Sequence, residues 1–272
     1  MSIKTLFLAL LFILSLEANE RIISLSPSIT EIVYALGIGE NLVGTSEYSL
    51  YPNEAQKVPI VGGSNNPNIE KIIFLSPTLV VGQTFSIDTL EKLKKFHIKS
   101  LMLNLQTIEN IKSSILKLSK ETNTFPHAKV LVQKIDNALQ EAPKSKNPHA
   151  VLIVFGLHED LRSGIYVAGN EIFFNDIILA CGNTNAYSDK TTEQPVLSYE
   201  NIIALNPDQI IILHSHATEA NVDVQKALQA WYKLPTNASK NGKISIVDED
   251  YLHIASHRVA LTIERLCKEM NK

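Results

Sequence analysis

Glycine and proline are scarce, at 11 residues each in a chain of 272, about 8% together. That is below ordinary usage and excludes a collagen-like or low-complexity chain. No excess of one charge is present either: 25 basic residues face 28 acidic ones, a formal net charge of −3, which provides no field to gather nucleic acid. Disorder is excluded from the other side, because 45% of the residues are hydrophobic and the net charge is small. The signatures of catalysis are missing as well. No helix carries His-Glu-x-x-His, no Gly-x-Ser-x-Gly elbow occurs, and there is no Walker-type phosphate loop, so no residue is assigned a catalytic role. Tryptophan is represented once, by Trp231, in a helical stretch with Leu228 and Leu234 that reads as core. The only long apolar run lies at the N-terminus, Leu6 to Leu16. Its eleven residues would make a helix of about 16 Å, half of what a bilayer core requires.

That run, preceded by Lys4 and followed by Glu17-Ala18-Asn19-Glu20, has the form of a secretory signal peptide cut after Ala18. No cysteine lies near the cut to take a lipid, so the expectation is an exported protein, free in solution. Compartment then bears on the two cysteines, Cys181 and Cys267. In a reducing cytosol they would be buried thiols; behind an export signal a disulfide is expected, stapling the C-terminal half and not joining the two halves.

The mature length suits one large domain or two lobes, and the internal pattern favours lobes. Short apolar strands alternate with helices from Arg21 onward, which argues for α/β layering around mainly parallel sheets. After the strand Arg21–Leu25, Ser28 stands as an N-cap with Glu31 closing a capping box, and the helix Ile29–Leu36 stops at Gly37. Residues 70–81 (EKIIFLSPTLVV) match residues 200–211 (ENIIALNPDQII) at a constant offset of 130 (200 − 70). Seven of these twelve positions are identical or exchange one β-branched aliphatic for another. Each copy reads as a glutamate-led helix, a stop before proline and an apolar strand, the mark of duplicated lobes. Between the copies, Pro126 to Ala142 carries Val130, Ile135 and Leu139 at helical spacing, so one stiff helix of about 17 residues is expected to join the lobes and to limit their motion to a small rocking. The organisation is therefore 1–18 signal peptide, 19–123 N-terminal lobe, 124–147 connecting helix and linker, and 148–272 C-terminal lobe.

Several short segments, in order along nearly the whole mature chain, carry a resemblance. They are RIISLSPSITE (21–31), LGIG (36–39), Val43-Gly44, Tyr51-Pro52, Val61-Gly-Gly63, Pro67-Asn-Ile-Glu70, Ala168-Gly169, Asn175-Asp176, Gly182-Asn183 and Lys240-Asn-Gly-Lys243-Ile244. Together they resemble periplasmic binding proteins for iron-siderophores, haem and cobalamin. The resemblance implies two Rossmann-like lobes bridged by one long helix, a ligand cleft between them, and a monomeric component that delivers its ligand to an ABC importer's permease and ATPase. It implies that Glu70 and Glu200 dock on basic residues of the permease; taken alone, each is equally a favourable charge at a helix N-terminus. The cobalamin branch is closest: Cys181 in Ala-Cys-Gly and Cys267 in Arg-Leu-Cys match its cysteines, and Ala255-Ser256-His257-Arg258 matches its Ala-Ser-Pro-Arg turn with histidine in place of proline. Where that branch lines its cleft with tryptophan, this chain has Ser64, Gln194 and Tyr251.

Histidine placement points to the ligand. Of eight histidines, five (His158, His214, His216, His253 and His257) follow strands of the C-terminal half, and ligands of open parallel sheets gather outside the carboxyl ends of strands. Imidazole binds transition metals and can coordinate haem or corrin metals axially; each histidine alone is equally an exposed loop residue. Tyr48, Tyr51 and Tyr251 can stack on a macrocycle or, ionised, bind ferric iron, or simply pack at lobe edges. Arg258 can pair with a ligand carboxylate or close an internal salt bridge. The expected ligand set is thus Tyr48, Tyr51, Ser64, His158, His214, His216, Tyr251, His253, His257 and Arg258, around a transported metal chelate and with no catalytic cofactor. The alternatives are a bare nickel, cobalt or zinc ion held by His214, His216 and His253, and, more distantly, a metal-dependent hydrolase suggested by the His-x-His spacing at 214–216.

Overall fold

A computed structural model describes residues 20–189, 194–214 and 223–272. The expected signal segment, residues 1–18, lies outside the described residues, and so does His216. The N-terminal lobe runs β1 (Ile22–Ser24), α1 (Pro27–Ala35), β2 (Leu42–Gly44), α2 (Ile69–Phe74), β3 (Leu79–Gln83), α3 (Ile87–Lys94), β4 (Ser100–Leu103) and α4 (Ile108–Glu121). Helix α5 (Phe125–Glu141) leads to the C-terminal lobe. That lobe comprises β5 (Ala150–Phe155), β6 (Ile165–Tyr166), α6 (Phe173–Ala180), β7 (Thr184–Asn185), β8 (Val196–Leu197), α7 (Tyr199–Leu205), β9 (Gln209–His214), α8 (Val224–Tyr232), α9 (Asn237–Lys240), β10 (Ile244–Asp248) and α10 (Val259–Met270).

Each lobe is built on a four-stranded parallel sheet, in the orders β2-β1-β3-β4 and β7-β5-β9-β10. Counted within its own four strands, each sheet has them in the order second, first, third, fourth. The repeat is equally regular: α2 and α7 start 130 residues apart (199 − 69), and so do β3 and β9 (209 − 79). Asn68 and Ser198 cap the two helices by accepting hydrogen bonds from the backbone N–H groups of Lys71 and Asn201. Ser76 and Asn206, each just before a proline, both turn the chain with positive φ (47° and 48°).

Both faces of the two sheets are buried, as parallel sheets require. Ile22, Leu79, Val81, Val151, Ile153, Ile211 and Leu213 point to the inner faces, and the residues between them, such as Ile23, Val80, Leu152, Ile210 and Ile212, point outward. The inner faces belong to a single cluster, because α5 contributes Ala128, Leu131, Ile135 and Ala138 to it and α10 contributes Ile263, Leu266 and Met270. Pro126 fits the first turn of α5. Trp231 is fully buried in the outer core of the C-terminal lobe.

The start of α1 differs from the sequence expectation. The cap is Ser26, whose hydroxyl accepts from Ile29 N at 3.3 Å, and the helix begins at Pro27. Proline needs no backbone donor in a first turn, so the helix gains two residues, Pro27 and Ser28, ahead of the expected start at Ile29. Glu31 therefore lies beyond the first turn, and it closes no capping box. The helix ends where expected: Gly37 has φ +81° and its backbone N–H reaches the Tyr34 carbonyl.

The disulfide is present. Cys181, at the C-terminal end of α6, is bonded to Cys267 of α10, with Cα atoms 5.2 Å apart and 86 positions between them in sequence. It fastens two helices on the inner face of one lobe. Replacing both cysteines by serine is expected to cost about 4–5 kcal/mol of unfolding free energy for a loop of this length. Denaturant titrations with and without reductant check this; an unshifted midpoint would mean that packing of α6 on α10 alone sets the stability.

Candidate functional site

In a parallel sheet the carboxyl ends of the strands open onto loops instead of the next strand, so chemistry collects there. In the C-terminal lobe β9 ends on His214 and β10 on Asp248, which are register partners, while Phe155 at the end of β5 pairs with Leu213. His214 is buried, with Nδ1 3.4 Å from the Asp248 carboxylate. The His253 ring lies 5.8 Å from that of Phe155. Its side chain is exposed, yet desolvation by the surrounding atoms, with a smaller contribution from His214, holds its pKa below the ordinary histidine value. His158 follows β5, and its Nε2 stands 3.2 Å from the Phe155 carbonyl.

In the N-terminal lobe the chain leaves β2 through the loop carrying Tyr48 and Tyr51, and a network of hydroxyls holds this loop on α1. Thr30 Oγ1 donates to Ser24 Oγ at 2.9 Å and contacts Ser49 Oγ at 3.1 Å, which in turn lies 3.2 Å from Ser46 Oγ. From the carboxyl end of β3, Gln83 donates to Ser26 Oγ at 2.8 Å. Ser64 is on the adjacent loop, tied by a 3.0 Å hydrogen bond from Glu47 N to the Gly62 carbonyl. Gly62 has φ +116°, and a Cβ there would lie 2.9 Å from the Asn66 carbonyl oxygen, so this turn requires glycine.

The two sets of loops meet at Arg258. Its Nη2 and Nε donate to Glu31 of α1, the latter at 3.0 Å, and Nη1 donates to Asp250 at 2.9 Å. Ser256 Oγ donates to Glu31 Oε2 at 2.5 Å. Both Glu31 and Arg258 are buried, at 3% and 7% exposure, and they come from opposite lobes. The guanidinium carbon lies 3.9 Å from the centre of the Tyr51 ring and 5.7 Å from that of Tyr251. Burial lifts the Glu31 pKa, and the bonds from Arg258 and Ser256 draw it only part of the way back. For Arg258, burial would lower the pKa, but Glu31 and Asp250 more than reverse it. Of the two roles open to Arg258 from sequence, the internal ion pair is the one its donors occupy. Removing one partner would strand the other in the interior, at about 3–5 kcal/mol. A second polar link crosses between the lobes where Asp176 accepts from Ile108 N at 2.8 Å, satisfying the exposed donor end of α4.

The structure thus brings together Tyr51, Tyr251 and Arg258 across the lobes, and His214 with His253 within one. Tyr48 stands out from its loop at 66% exposure. His257 has its Nδ1 buried without a hydrogen-bond partner among the described residues. Burial, then the charges of Arg258 and of Lys134 on α5, press its pKa down to about 4. Tyr251 is raised by burial and by Glu249, so its side chain is a neutral phenol. Among the described residues no three His, Cys, Asp or Glu side chains gather as a metal site. Sequence reasoning missed Glu31, Asp248, Asp250 and Ser256 as parts of the site. For Glu31 there was a signal: a single carboxylate within Ile29-Thr-Glu-Ile-Val33 must be buried, and a buried charge needs a partner.

Glu70 and Glu200 are exposed second residues of α2 and α7. Each helix feeds the amino end of the next strand, so its own N-terminus lies toward the carboxyl edge of the sheet, on the side of the tyrosine and histidine loops. Hydrogen bonds from Tyr199 and Ser198 lower the Glu200 pKa.

A family model described as periplasmic binding protein matches residues 22–251. The chain belongs to the periplasmic binding protein family. A vitamin B12-binding protein of Photorhabdus laumondii is 28% identical over 257 residues, 92% of this chain and 88% of its own length. Among solved structures, the periplasmic vitamin B12-binding protein of Vibrio cholerae matches with a TM-score of 0.72 and 26% identity, covering 92% of this chain and 96% of that one. The periplasmic haem-binding protein of Roseiflexus, in its apo form, matches with a TM-score of 0.73 and 25% identity, over 93% and 98%. These relatives in the periplasmic binding protein family are binding proteins, not enzymes. Among the described residues no helix is long and apolar enough to cross a membrane.

The depressed pKa of His257 has a consequence for stability. Its neutral form is favoured in the fold, so its contribution is complete above the unfolded value of 6.5 and is lost as pH falls toward about 4. The full difference corresponds to about 3 kcal/mol. His257→Gln is expected to flatten the fall of Tm between pH 6.5 and 4; an unchanged profile would assign that fall to other groups.

Proposed function

We propose that this protein captures a metal chelate, a corrinoid, haem or ferric siderophore, in the cleft between its lobes and delivers it to the permease and ATPase of an ABC importer. The observation that carries this reading is the meeting of Tyr51 and Tyr251 from opposite lobes on one guanidinium, beside a wall bearing His253 and His158. Aromatic rings offer flat apolar support to a macrocycle or chelate rim, and neutral imidazole can complete the metal's coordination. Relatives named for vitamin B12 and haem binding support the chelate class. Ser64, Gln194 and Tyr251, in places where the cobalamin branch carries tryptophan, offer less stacking surface and leave the specific chelate to experiment.

In this reading Tyr48, Tyr51, Ser64, His158, His253 and Tyr251 face the ligand, and His214 flanks it at the end of β9; His216, also expected in the ligand set, lies outside the described residues. His257 and Arg258 support it from the turn before α10. Glu70 and Glu200 form the two acidic contacts with the permease. Export through residues 1–18 would place the protein in the periplasm. A second reading, a bare transition metal on His214, His216 and His253, is favoured by the Asp248 carboxylate facing His214 Nδ1, an arrangement that orients a metal-binding imidazole.

Visible absorption and metal analysis of protein purified from its host, followed by calorimetric titration with haem, cobalamin, ferric siderophores and nickel, separate the readings. Saturable binding of one chelate is expected; binding of nickel alone would replace the first reading with the second. Alanine at His214, His216 and His253 is expected to weaken chelate binding at least about tenfold, a loss of about 1.4 kcal/mol. Charge reversal of Glu70 and Glu200 should abolish uptake while ligand affinity stays within about twofold, because exposed helix-end charges act little at a distance. A loss of affinity instead would place both glutamates at the ligand.

A further inference from the structure

Glu31 has no role in the ligand-facing set, yet its carboxylate receives hydrogen bonds from Ser256 Oγ, Arg258 Nε and Arg258 Nη2, all of the opposite lobe. The same helix, one residue earlier, uses Thr30 to hold Ser49 beneath the tyrosine loop. Arg258, gripped by Glu31 on one edge and Asp250 on the other, presents its flat face to Tyr51. One turn of α1 therefore determines where the N-terminal tyrosine loop stands relative to Arg258 and Tyr251. The connecting helix allows rocking, and the Asp176 link lies at the start of α4, which follows β4, at the opposite end of the N-terminal sheet from β2 and its tyrosine loop.

We propose that Glu31 is a positioning residue: its carboxylate, clasped by Ser256 and Arg258, latches the lobes at the separation at which Tyr51 and Tyr251 hold the captured chelate. The inference rests on the cleft reading only for its kinetic consequence; the latch itself is a statement about lobe separation. A carboxylate that binds two groups on the far lobe must release both before the cleft can widen. Loss of the latch raises the population of wider cleft states, from which a ligand escapes, and leaves the approach of ligand unchanged. The effect therefore falls on dissociation.

The test uses Glu31→Gln, which keeps the shape and removes the charge. Spin labels on Lys57→Cys and Lys233→Cys, exposed positions in separate lobes, report the inter-lobe distance in the ligand-free protein. The variant is expected to broaden that distribution toward longer distances. In stopped-flow displacement with haemin or cyanocobalamin, whichever the wild-type protein binds, it should dissociate about tenfold faster with association unaltered. Should Glu31→Gln fail to fold, Ser256→Ala, which removes one bond and leaves the ion pair, is expected to show the same changes at smaller size. An unchanged distance distribution in a folded variant overturns the latch. If neither haemin nor cyanocobalamin binds the wild-type protein, the probe arm counts against the cargo reading, and the distances alone decide the latch.

Discussion

Helix α5 places Ala128, Leu131, Ile135 and Ala138 in a core that both sheets share, so the lobes cannot part without exposing apolar surface along its length. Each sheet presents one face to this common core and the other to helices of its own lobe. That arrangement requires runs apolar on both faces, and β1, β3, β5 and β9 supply them in Ile22-Ile23, Leu79–Val81, Val151–Val154 and Ile210–Leu213, with polar residues only at the strand ends. A two-lobed molecule with a continuous interior can rock about its connecting helix but cannot swing freely, because the hydrophobic contribution of the shared core opposes wide opening.

The site follows from the direction of the strands. All eight strands of the two main sheets are parallel within their sheet, so each lobe has one edge made only of carboxyl ends, and the tyrosine and histidine loops spring from those edges. Where the edges face each other, two charges from opposite lobes are buried together. A buried ion pair gains little net stability, since desolvation offsets the attraction, but it is costly to break on one side. Its use here is geometric: Glu31 and Arg258 are in place only when the lobes stand in one relation to each other. Membership of the periplasmic binding protein family and a relation to vitamin B12- and haem-binding relatives are consistent with such a vessel, whose work is capture and release.

Much of this was legible in the chain. The offset of 130 between the two glutamate-led segments reappears as equal spacings of helices and strands, because a duplicated βα unit carries its caps and its proline stop with it. Gly37 ended its helix and Trp231 went to the core for reasons local to each residue, while the two cysteines, 86 positions apart, met as the export signal and the family resemblance implied. The misreading at Ser28 has a local cause too: two serines flank Pro27, and the choice of cap depends on how well proline fits a first turn. The function of Glu31 was not legible from its neighbours, because its partners lie 225 and 227 positions away.

By itself the sequence determined the α/β layering, the two copies, the long joining helix and the family, since periodicity, turn residues and short motifs act over a few neighbouring positions. Only the tertiary structure decided that Arg258 belongs to an internal pair, that Tyr51 and Tyr251 share its faces, and that His214 lies buried against Asp248. Those facts depend on how two sheets are set against one helix. Such distances are fixed by packing of the whole interior, and no local pattern encodes them.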